Sequence, residues 1–149
     1  MNPIARYKQL SPEERGFFFR ALLLMLAIRI ALWTLPFRVT RAWVDWMRRP
    51  TGPACELERV RIRRVGWAVE AASRRIPRAT CLTQSMTTQV MLGRLGQASE
   101  LHLGVARKPD GQFEAHAWVE TQGRVINGGT VEGFQRFVRL EKSAADSRS

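Results

Sequence analysis

Cys55, Cys81, His102 and His116 are the only cysteines and histidines in the 149 residues. They stand singly, with no CxxC and no histidine pair. That spacing does not suit the paired ligands of a structural zinc site or the even series of a disulfide framework. The chemistry left to them is that of a thiolate nucleophile and an imidazole base. Cys81 opens the run "CLTQSMTTQVMLGRLG", which reads as a helix with Thr80 as N-cap and Gly96 just past its end. The unpaired N–H groups and dipole of a helix start favour an anion, so a thiolate there is stabilised. Arg78, just before it, adds positive charge. The plainer alternative is a buried cysteine acting as a small hydrophobe.

His116 lies in "FEAHAWVE". Strand alternation puts Glu114, His116, Trp118 and Glu120 on one face, and Phe113, Ala115, Ala117 and Val119 on the other. With the small alanines on the core side, His116 is expected on the face that meets the Cys81 helix. Thr121 and Arg124 close a hairpin around a tight turn, which brings Gly129, or Gly128 if the loop is longer, opposite His116. Asn127 is then the nearby side chain able to accept the imidazole N–H. Glu120 lies about 13–14 Å along the strand, beyond contact. Gln84, one helical turn after Cys81, can donate to an oxyanion together with the Cys81 N–H. His102, in "LHLGV", is read as structural or exposed and is left outside the site.

The elements that must position these residues are legible in order. "SPEE" at Ser11–Glu14 carries a capping box with proline at the first helical position. The run that follows is apolar on most sides until Pro36. Ala21 to Phe37 contains a single charge, Arg29. A charge near the middle of a span costs roughly 2.5–3.5 kcal/mol, so a helix buried or lying on a membrane or partner is expected over a spanning one. A second helix runs from Arg38 to Met47, and "RRPTGP" breaks it. Between Glu56 and Ile76, Ile62, Val65, Val69, Ala72 and Ile76 form one helix face and the arginines the other. After Gly96, three short strands separated by "KPDGQ" and "TQG" form an antiparallel meander, and "VEGFQRFVRL" adds a helix turn or an edge strand. Residues 1–50 thus read as a helical segment, 51–140 as the core and 141–149 as a disordered tail. The fold class is α+β, with N-terminal helices packed on a short antiparallel sheet.

Composition sets the surroundings. The formal net charge is +11, and 21 of the 24 basic residues are arginine. Arg38 to Arg78 alone holds eleven arginines against four acids. Such a surface suits an acidic partner: a carboxylate-rich peptide, nucleic acid or anionic lipid. The opening "MNPIARYKQL" lacks the apolar core of a signal peptide, so a cytosolic setting with reduced thiols is expected.

"ATCLTQSMTTQVMLGRLGQASELHLGVAR" followed by "AHAWVETQGRVINGG" resembles the lasso peptide biosynthesis B2 proteins. "RRIPRATCL" and the N-terminal apolar run are similar to that family too, so the resemblance covers nearly the whole chain. Its most specific marks are Cys81-Leu-x-Gln84, "HLGV" and "HAWVE". The resemblance implies a transglutaminase-like, papain-like cysteine protease fold without cofactor. It implies removal of the leader from a ribosomally made precursor, with a leader-binding B1 protein and a lasso cyclase as partners, no nucleic acid, and a cytoplasmic location, with association at a membrane surface left open. By position, Cys81 becomes the nucleophile and His116 the base. The family's acid falls where Gly128 stands, leaving Asn127 as the nearest substitute. The competing expectation is a non-enzymatic basic adaptor for a membrane, a partner protein or nucleic acid.

Overall fold

The computed structural model describes residues 9–127 and the backbone of residues 135–140. Helix α1 spans Pro12–Thr34, α2 Phe37–Met47, α3 Arg59–Ser73 and α4 Cys81–Arg94. Strands β1 (Glu100–Arg107), β2 (Phe113–Thr121), β3 (Arg124–Asn127) and β4 (Gln135–Leu140) follow. They form one antiparallel sheet in the order β3-β2-β1-β4. The segment that could have been a helix turn or a strand is therefore the edge strand β4. The expected tail, 141–149, lies outside the described residues.

Each helix start has a local cause. Ser11 Oγ accepts the Glu14 N–H, and the Ser11 N–H donates to the Glu14 carboxylate at 2.8 Å. Those Ser11 donors hold the Glu14 carboxyl below its ordinary range. The contribution of this cap is therefore present above the usual glutamate pKa and is lost as pH falls through the lowered value. Thr80 Oγ1 accepts the Thr83 N–H and caps α4. Gly96 ends it in the left-handed region, with φ of 85°.

One core crosses the proline-glycine loop at residues 48–53. Met25, Val44, Ile62, Val65, Met86, Val90, Leu101 and Val119 all belong to it. The N-terminal helices therefore pack into the same core as the rest of the described chain. Helix α4 sits at the centre, touching α1, α2 and α3 and the sheet. Two of its hydroxyls are satisfied within the helix: Thr87 and Thr88 donate to the carbonyls of Thr83 and Gln84 at 2.8 and 2.9 Å.

Two glycines predict opposite outcomes. A Cβ built on Gly93 of α4 meets the Arg48 backbone carbonyl and comes within 2.8 Å of Arg48 Cβ, so the α2 C-terminus is closed down on α4 there. Gly93→Ala should destabilise by about 1–3 kcal/mol, the usual cost of overpacking. Gly16, inside α1, has open space around it. Gly16→Ala should stabilise by about 0.5–1 kcal/mol through helix propensity. Urea denaturation of the two variants checks both signs.

Candidate active site

The chain reaches Cys81 through a tight turn. Ala79 N–H donates to the Ile76 carbonyl at 3.3 Å across Pro77 and Arg78. Arg78 is held at φ 58°, a region that few non-glycine residues enter. The turn ends at the Thr80 cap, and Cys81 is the first residue of α4. Cys81 is half-buried and packs against the core. Its position gives a thiolate the favourable end of the helix dipole. Gln84 lies one turn on, and its Nε2 donates to the Ala79 carbonyl at 3.4 Å. The two residues are therefore together at the helix start, as the sequence places them. Cys55, by contrast, is exposed, with its thiol donating to the Leu95 carbonyl.

Helix α4 touches β2, so the helix that begins at Cys81 lies against the strand that carries His116. The side-chain rows of β2 are arranged differently from the reading above, however. Ala117 and Val119, with Leu101 and Leu103 opposite them, face the core that holds Met86 and Val90 of α4. His116, Trp118 and Glu120 form the other row. The imidazole is half-buried and stacks beside the Trp118 ring, with centroids 6.2 Å apart and planes at 21°. His116 thus does not stand under the body of α4. The rows alternate strictly, and the larger apolar Val119 takes the helix side with the alanines.

His102, which the sequence places outside the site, lies beside that row with Glu100. His102, the cross-strand partner of Trp118, also stacks on that ring, with centroids 5.6 Å apart. Rather than being exposed, it is 1% accessible. Its Nε2 lies 3.5 Å from the carboxylates of both Glu100 and Glu120. Trp118 Nε1 donates to Glu120 at 2.9 Å. Trp118 thus contacts both imidazoles, and the carboxylates of Glu100 and Glu120 lie beside His102. Gly104 stands opposite His116, so no cross-strand side chain crowds the imidazole. The signal was present in the alternation of "ELHLG" against "HAWVE", but it appears only when the two strands are paired in register.

The sequence places Asn127 beside the imidazole; the structure gives it other partners. The hairpin closes at Thr121–Arg124, as read, but the register slips between Val119 and Glu120 and sets Asn127 opposite Val119. The Asn127 Oδ1 accepts the Val119 N–H at 3.1 Å, and its Nδ2 donates to Ser85 Oγ at 3.3 Å. Asn127 therefore ties β3 to β2 and α4. Val119 is three residues from His116, about 10 Å along a strand. The cause is an extra residue in β3, Ile126, whose carbonyl and side chain lie against Gly66 of α3. Gly128 and Gly129 lie outside the described residues.

The arginine face of α3 is partly used internally. Arg61 and Arg64 pair with Glu13 of α1, and Arg74 pairs with Glu70. Arg59 and Arg63 remain exposed.

A family model described as the transglutaminase-like superfamily matches residues 22–142. Searches of curated proteins and of solved structures returned no match.

The Asn127 contacts predict a separation of variants. Asn127→Ala leaves the Val119 N–H without its acceptor and should cost about 1–3 kcal/mol. Asn127→Asp keeps that acceptor and can accept a hydrogen bond from the Ser85 hydroxyl, so it should retain most of the stability. Thermal melts of the two variants measure the difference.

Proposed function

The chain belongs to the transglutaminase-like superfamily, and on that premise we propose that it is a cysteine peptidase. Its substrate in this reading is a ribosomally made lasso peptide precursor, from which it removes the leader. The observation that carries the reading is Cys81 itself: a half-buried thiol on the first residue of a capped helix, with Gln84 beside it and a histidine-bearing strand against the same helix.

The chemistry follows from those groups. Cys81 Sγ attacks the scissile carbonyl carbon, and the thiol proton passes to the His116 imidazole. The Cys81 N–H and the Gln84 amide hold the oxyanion. As the tetrahedral species collapses, the C–N bond breaks and the leaving amine takes the proton from His116. Water then cleaves the thioester, with His116 as base, and frees the thiol. Since His116 belongs to the Trp118 row, this reading requires the imidazole to meet Cys81 at the rim of the sheet rather than across its helix-facing side. Trp118, itself held by Glu120 and His102, sets the plane of the imidazole. Asn127, engaged with Val119 and Ser85, supports the hairpin, and the pair works without it as ring orienter. A leader-binding B1 protein and a lasso cyclase are the proposed partners, and the cytosol the proposed setting.

Incubation with a precursor peptide and a B1 protein, read by mass spectrometry, tests the mechanism. Cys81→Ala should abolish leader removal while precursor binding persists; cleavage by that variant rules the mechanism out. His116→Ala should slow cleavage by about 10²–10⁴-fold, the range for loss of a general base. Gln84→Ala should slow it by about 10²–10³-fold if it supplies an oxyanion donor. Asn127→Asp, which keeps the fold, should change the rate far less than His116→Ala. Iodoacetamide should label Cys81, and substrate peptide should suppress the labelling. A basic adaptor would bind its partner unchanged after alkylation.

A further inference from the structure

Helix α1 is apolar on two opposite faces. The inner face, with Ala21, Met25 and Ile28, is fully buried in the core against α3 and α4. The outer face carries Phe19, Leu23, Leu26, Ile30 and Trp33, all exposed. Leu23 is 66% accessible and Trp33 78%. At 3.6 residues per turn these five positions fall within an arc of about 80° and run for about 20 Å along the helix. Helix α2, packed against α1, also carries exposed Val39 and Trp46, the latter 60% accessible. Among the described residues, no other surface gathers so many large apolar side chains.

The charges around this surface have one sign. From Arg15 to Arg49 there are seven arginines and one acid, Asp45. That acid is already paired with Arg41 and Arg48, at 3.2 and 3.0 Å. Arg20 and Arg38 are exposed. The Arg29 guanidinium lies 5.8 Å from the centroid of the Trp33 ring, so a cation and an indole are presented together.

We propose that the outer face of α1, with the exposed side of α2, docks flat on an anionic lipid surface. An apolar stripe with tryptophan at its end and arginines at its borders matches the layered chemistry of a bilayer interface: acyl chains under the stripe, indoles at the headgroups, guanidinium groups on the phosphates. Apart from the indole N–H of Trp33, the stripe holds no polar group, so it offers almost no hydrogen bonds with which to select a folded partner. A second copy would bring its own exposed Arg20, Arg38 and Arg49 against these, which like-charge repulsion opposes. The helix is long and apolar enough to cross a membrane by length and composition. Crossing would strip its inner face from the core, so the helix lies on the surface instead. This docking does not rest on the peptidase reading.

Flotation of the full chain with vesicles tests it. The protein should float with vesicles of mixed phosphatidylcholine and phosphatidylglycerol and should bind far less to phosphatidylcholine alone. Raising the salt should weaken the binding. A Leu23→Ser, Trp33→Ser double variant changes only side chains outside the core. It should keep the parent's circular dichroism and melt while its partitioning falls by about tenfold or more. Arg20→Glu with Arg38→Glu should lower binding to the anionic vesicles and not to the neutral ones. Absence of flotation, equal flotation of the double variant, a lipid-free dimer by light scattering, or resistance to alkaline carbonate extraction would each overturn the proposal.

Discussion

A helix that cannot reach water must satisfy its polar side chains within the fold, and α4 is built under that constraint. Thr83, Ser85, Thr87, Thr88 and Gln89 are all inaccessible to solvent, alongside Met86, Val90 and Leu92. Two threonines return their hydroxyl protons to carbonyls of their own helix. Ser85 takes the Asn127 amide, and Gln89 Oε1 takes Arg41 Nη1 at 2.9 Å; the Gln89 Nε2 is the one buried side-chain polar atom of α4 without a hydrogen-bond partner. A buried polar group without a partner costs about 1–3 kcal/mol, so these contacts fix which elements stand around α4 and at what height. The same helix carries Cys81 at its first residue. Packing of the core and placement of the thiol are therefore one problem, solved once.

The sheet answers to that helix. Leu101, Leu103, Ala117 and Val119 meet the core, which leaves the alternate row for His116, Trp118, His102 and Glu120. That row is polar and aromatic, yet His102 and Trp118 are each only 1% accessible. A second polar knot secures the far end of the hairpin. Buried Gln97 accepts the Leu57 N–H at 2.7 Å and donates to Thr121 Oγ1 at 2.9 Å, and Thr121 donates to the Ala98 carbonyl. It ties the loop before α3 to the sheet. The imidazole is thus held in a strand locked on both sides, an arrangement suited to a base that must keep one orientation.

On the outer face of α1 the same economy is absent. Helix α1 closes the core with one face and leaves an equally apolar face outside. A solvent-facing helix of a soluble core would carry charge there.

The amino-acid sequence determined the local structure wherever a short-range rule applies. Ser11 and Thr80 cap as read, because capping needs only residues three apart. The tight turn at Gln122–Gly123, the four helices and the strand runs follow likewise from spacing, and Cys81 with Gln84 at a helix start follows from them. Tertiary structure alone decided the rest. "CLTQSMTTQVMLGR" looks like a half-polar surface helix, and only its neighbours show that it is the buried centre. The row that takes the core, and hence where His116 points, depended on which side of the sheet α4 occupies. Asn127 missed the imidazole because Ile126 is an extra residue in β3 seated on Gly66, a contact between positions 60 residues apart. His102 went unread for the same reason: a lone histidine in a strand acquires meaning only from Trp118, Glu100 and Glu120 around it, and no local pattern encodes a cross-strand register.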